Sequence, residues 1–174
     1  MGAVFEISMI SKSFIPLEVC TDYFSCLGFS FLPERLECIQ DWDWSGHKTL
    51  PFPSPTQDIS SLVTTGHIVL LYGALGPSHA GIFIYQNMDG TFQTDLWFQD
   101  ALYPHLPDLV ALNAGSFQSL EDHLQRSLHQ FYSYALILAV MGEEIMFEYL
   151  PDLDTCRRRS CVDRWISFKN EAAV

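Results

Sequence analysis

From Val4 to Ile10 the chain is apolar and β-prone, which predicts a first strand. Pro16 then stands where a helix can begin, because the N–H that proline lacks has no intrahelical partner in a first turn. Leu17, Tyr23, Phe24 and Leu27 form an apolar face at helical spacing, and Gly28 follows where a left-handed stop is placed, so a helix is predicted over about 16 to 27. From Phe29 to Thr65 no period persists. Asp41-Trp42-Asp43-Trp44 and prolines at 51, 53 and 55 break the pattern, and 34–65 is expected to be a long irregular loop. His67 to Tyr72, Ala80 to Gln86 and Thr91 to Gln99 are β-prone runs. Asp89-Gly90 separates the last two, and glycine there supplies the positive φ of a tight hairpin turn, so an antiparallel meander is expected. After Pro104 and Pro107, Ser116 is placed to cap a helix with Phe117, Leu120, Leu124, Leu128 and Phe131 on one face. Tyr134 to Met141 is apolar all round and is expected to be a second, buried helix. The fold class is α+β: an N-terminal helix, a meander and C-terminal helices.

Length and charge narrow the picture. A chain of 174 residues with 48% hydrophobic and 17% charged side chains is expected to be one domain able to bury its own core. The net charge is -12 and unevenly spread. Residues 1 to 150 carry four basic and seventeen acidic side chains, while residues 151 to 174 carry five basic and four acidic, with Arg157 to Arg159 forming a short basic run. A polyanionic body repels nucleic acid and anionic lipid and attracts basic proteins, so the expected partner is a basic protein.

The five cysteines, Cys20, Cys26, Cys38, Cys156 and Cys161, are an odd number without scaffold spacing. With no signal peptide, and with the apolar run Ser127 to Gly142 too short and wet for a spanning helix, they suggest an intracellular, reducing setting and no membrane anchor. Metal binding is not expected. Five residues separate Cys20 from Cys26 and four separate Cys156 from Cys161, no second ligand pair lies at a finger-like distance, and His123 and His129 fall on different helix faces. Gly73 and Gly76 lack the Lys-Ser/Thr of a phosphate loop, and no cofactor is expected.

The order of motifs resembles the SUKH superfamily, which holds bacterial toxin-immunity proteins and a branch of herpesvirus early proteins. The residues that carry the resemblance are Ile15-Pro16 through Tyr23-Phe24 to Leu27-Gly28, Ala74 to Pro77 leading into Gly81 to Tyr85 with Asp89-Gly90, and Ala114 to Phe117 followed by Leu120, Glu121 and Leu124. It covers about residues 14 to 130 and leaves the 34–65 loop and the helix expected after residue 131 unaccounted for. It implies a non-enzymatic domain that binds and neutralises a partner, either a toxin or a host defence or cell-death protein, and it transfers no site residue.

Within the chain itself, Asp41, Trp42, Asp43 and Trp44 are the candidate partner-binding residues, because tryptophan is enriched at interface hot spots and neighbouring carboxylates select basic partners. Asp89, Asp95 and Asp100 are expected to extend the acidic surface where their strand face is open. The competing reading is enzymatic. Gly66 to Leu71 and Ser78 to Ile84 are similar to the strand pair that carries the catalytic histidine of NlpC-type cysteine peptidases. That resemblance implies a hydrolase or acyltransferase with Cys20 or Cys26 as nucleophile, His79 as base and Asp95 or Gln93 orienting it. A phospholipase-like variant would pair His79 with Cys156 or Cys161.

Overall fold

The structure, a computed structural model, describes residues 4–26, 28–99, 129–142, 147–149 and 159–160. In chain order the elements are β1 (Val4–Ser11), α1 (Leu17–Cys26), β2 (Phe31–Ile39), β3 (Lys48–Leu50), α2 (Thr56–Thr64), β4 (Ile68–Leu75), β5 (Ser78–Gln86) and β6 (Phe92–Gln99). A 3-10 helix (His129–Tyr134) and strands β7 (Leu136–Gly142), β8 (Phe147–Tyr149) and β9 (Arg159–Ser160) follow. The strands form one sheet in the order β3-β2-β4-β5-β6-β1-β7-β8-β9. Every neighbouring pair runs antiparallel. The class is α+β, weighted towards sheet.

Register explains how the two faces differ. One row across the sheet reads Leu36, Leu71, Ile82, Leu96 and Ile7, all buried. Successive strand side chains point to opposite faces, so the next row, Glu37, Leu70, Phe83, Asp95 and Ser8, lies on the other side. The first row belongs to the main core, where the sheet packs on Leu17, Cys20, Tyr23 and Phe24 of α1, Ile59 and Val63 of α2, and Phe131 of the 3-10 helix. Helix α1 starts as proline entry predicts, with the Pro16 carbonyl accepting the first turn's N–H groups from Val19 (3.1 Å) and Cys20 (3.3 Å).

The opposite face carries a smaller cluster, Ile39, Ile68 and Leu70, with Tyr72, Phe83 and Tyr85 packed on it. A third row, Arg35, Tyr72, Gly81, Trp97 and Glu6, explains one glycine. The Trp97 indole lies over Gly81, where a Cβ would come within 2.6 Å of the ring, and the Tyr72 and Trp97 centroids stand 6.0 Å apart across it.

Two expectations are overturned. The 34–65 segment is not one irregular loop: it contains most of β2, all of β3 and the whole of α2. Strand β2 was obscured by Pro33 and by the register shift between Pro33 and Arg35, features that belong to a sheet margin. Helix α2 is short and begins at Pro55, whose carbonyl accepts the N–H groups of Asp58 and Ile59. The all-apolar run expected to be a helix over Tyr134 to Met141 is strand β7, paired with β1 and β8. A run that is apolar on all sides suits a strand buried between two neighbours as well as it suits a buried helix. The helix expected from Ser116 lies outside the described residues except for its end, where the chain is the 3-10 helix. Among the described residues, no helix is long and apolar enough to cross a membrane.

Candidate functional site

Strand β2 ends at Ile39 and the chain turns back to β3 through a closed loop. Ser45 O accepts the Gln40 N–H at 2.8 Å, and Asp41 O accepts that of Trp44 at 2.9 Å. The carboxylates complete the closure: Asp41 Oδ1 accepts the Trp42 N–H (2.7 Å) and Asp43 Oδ1 accepts the Ser45 N–H (2.8 Å). Trp44 is held at a φ of 66°, a left-handed conformation that costs a bulky residue free energy and persists only where its surroundings enforce it.

This geometry presents both indoles. Trp42 stands edge-on to Phe83 (5.8–6.0 Å centroid separations with Tyr85 and Phe83) and remains 51% exposed. Trp44 lies 5.6 Å from the His47 ring and is 50% exposed. His47 Nε2 is in turn 3.2 Å from Glu37 Oε1, which also receives Arg35 Nε at 3.1 Å. Neither tryptophan plugs the core.

The β5–β6 hairpin tip, Asn87 to Thr91, comes to the same end of the sheet. Ile39 pairs with Ile68, Val69 with Ile84 and Gln86 with Phe92, so the ends of β2 and β5 lie two strands apart at one margin. Met88 is fully exposed there. Asp89 Oδ1 accepts both the Thr91 N–H (2.9 Å) and its hydroxyl (2.6 Å). The hydrogen bonds from Ser45 and Thr91 hold the Asp43 and Asp89 carboxyls below the usual carboxylate range, so both are ionised at neutral pH. Asp41, Trp42, Asp43, Trp44 and Asp89 therefore belong to one surface.

Asp95 does not extend it. The residue sits mid-strand on the aromatic face but is only 6% exposed, with Gln93 Nε2 donating to it at 3.0 Å. Burial pushes its carboxyl up to about 6, against hydrogen bonds from Gln93 and Ser8 that act the other way. Alternation put it on the expected face, but its neighbours enclose it. Asp100 lies outside the described residues.

Compared with known proteins, the chain matches no family model, no curated protein and no solved structure.

The peptidase-like constellation is not assembled around Cys20. Its thiol is fully buried on the core side of α1, and burial, then the nearby Glu18 charge, pushes it far up from its ordinary value. His79 is on the opposite face of the sheet, exposed, beside a hollow of about 480 Å³ between Arg35, Tyr72 and Trp97. Nor is Asp95 in place to orient that histidine. It is paired with Phe83, four residues further along β5, and its hydrogen bonds come from Gln93 and Ser8. Cys26 is the last residue of α1; Cys156 and Cys161 lie outside the described residues. Cys20 is accordingly expected to resist alkylation by iodoacetamide at pH 8 in the folded protein, reacting at least ~100-fold faster in urea. Peptide mapping of the label measures this, and rapid modification of native Cys20 would restore it as a candidate nucleophile.

Tyr72, Phe83, Tyr85, Trp97 and Met88 escaped sequence reasoning. The signal was present as the off-core half of the period-2 pattern in the predicted strands, where aromatic residues stand in positions that polar ones usually fill.

Proposed function

We propose that this chain is a non-enzymatic, acidic, SUKH-like binding domain that neutralises a protein partner, as an immunity protein does a toxin or a viral antagonist a host defence or cell-death protein. The supporting observation is the surface at one end of the sheet. Two half-exposed indoles and an exposed methionine stand there among three carboxylates. Solubility alone does not call for exposed tryptophans, whereas an interface core with a charged rim does. The loop is braced by its own hydrogen bonds and by Trp42 on Phe83 and Tyr85, so little ordering entropy opposes docking. The net charge of -12 steers a basic partner towards it. The resemblance in motif order, including the Asp-Gly hairpin, points the same way.

The test is capture followed by substitution. A tagged chain is expected to retain a basic protein stoichiometrically at moderate salt, and Trp42→Ala with Trp44→Ala to weaken that complex by about 100-fold or more. Thermal stability of the double variant should fall by less than about 1–2 kcal/mol, since both side chains are half-exposed. Unchanged affinity in a folded double variant would end this assignment.

A further inference from the structure

The same face already holds one guanidinium. Arg35 Cζ stands 4.8 Å above the Tyr72 ring centroid while its Nε meets the Glu37 carboxylate at 3.1 Å. The arrangement has three parts: a flat cation, an aromatic ring beneath it and a carboxylate at its edge. The Asp41 to Trp44 loop offers two of the three. Each indole has a fixed carboxylate as its chain neighbour, and each carboxylate spends Oδ1 on the loop's own N–H groups. The Ser45 side chain adds a hydrogen bond to Asp43, and among the described residues no ion pair to a basic side chain engages Asp41 or Asp43, while His47 and Arg35 are engaged with Glu37. The missing part is a cation.

We infer that the partner anchors itself on this surface through arginine side chains, whose guanidinium groups stack on Trp42 and Trp44 and pair with the carboxylates of Asp41 and Asp43. The inference rests on the binding role proposed above and names the chemistry of the partner. Arginine is selected over lysine because its planar, weakly hydrated fork stacks on a ring and meets a carboxylate together, whereas an ammonium is a compact, strongly hydrated point charge. A second copy of this chain is a poor occupant, since two bodies of charge -12 repel. Met88 and Asp89 at the hairpin tip supply an apolar contact and a further carboxylate for a second basic residue.

The experiment titrates the ¹⁵N-labelled full chain with acetylated hexa-arginine and hexalysine peptides at equal ionic strength, following the indole N–H resonances. Hexa-arginine is expected to shift the Trp42 and Trp44 signals and to bind about tenfold more tightly than hexalysine. Asp41→Asn with Asp43→Asn keeps the Oδ1 acceptors that close the loop, so the fold is preserved while that preference is lost. Equal affinity for the two peptides, or shifts confined to other tryptophans, overturns the arginine inference. Loss of partner capture by the tryptophan variant would still uphold the binding role in that case, so the two fail separately.

Discussion

Replacing Phe24 by alanine is expected to remove about 3–5 kcal/mol of folding free energy. Phe24 is fully buried on α1, its ring 4.8 Å from Phe31 at the start of β2 and 5.8 Å from Tyr23. Tyr23 continues the contact to Phe131 at 6.4 Å, so three aromatic pairs join α1, β2 and the 3-10 helix near residue 131. Each such pair adds roughly 0.5–1.5 kcal/mol beyond simple burial. A domain of this size has about 5–15 kcal/mol in total, so the loss is a fifth or more of its stability, or a fall in Tm of roughly 6–20 °C. Thermal and urea unfolding measure it. A cost below about 1 kcal/mol would mean that the helix is not held by this aromatic chain.

Asp95→Asn is expected to stabilise the protein, and only above acid pH. The folded carboxyl is raised to about 6 from 3.8 by burial, so the folded state keeps its proton where the unfolded chain has lost it. Below pH 4 both states are neutral and the wild type suffers no penalty. As pH rises from 4 to 6 the unfolded state alone ionises and stability falls, and above 6 the full cost of burying a charge remains. Two units correspond to about 2–3 kcal/mol. Asparagine is neutral throughout and can still accept from Gln93, so the variant's advantage should be near zero at pH 4 and about 2 kcal/mol at pH 7.5. Urea unfolding of both proteins across that range decides the matter, and parallel curves would contradict the burial argument.

Helix α1 and the strands β4 to β6 were legible in the sequence because local signals agreed with the tertiary outcome. A proline entry, a 3.6 period and a glycine exit marked the helix, and apolar alternation around Asp89-Gly90 marked the strands. Strand β7 was not legible, because Leu-Ile-Leu-Ala-Val shows no alternation to separate a strand from a helix and its partner β1 is far away in sequence. Strand β2 was hidden by Pro33, which a margin tolerates, and α2 by having only two buried positions, Ile59 and Val63, in nine residues. For the candidate site, composition singled out the paired tryptophans. It could not say that register would bring Met88 and Asp89 to the same end, or that Asp95 would be enclosed.

The placement of β1 bears on how the chain is made. Strand β1 lies between β6 and β7, so neither of its partners exists until residues 92–99 and then 136–142 have been translated. At about 5–20 residues per second, a strand containing Ile7 and Met9 waits several seconds with both edges unpaired. Nascent chains halted before residue 92 should therefore depend on chaperones. Removing β1 would also take a strand from the interior of the sheet and not from its margin.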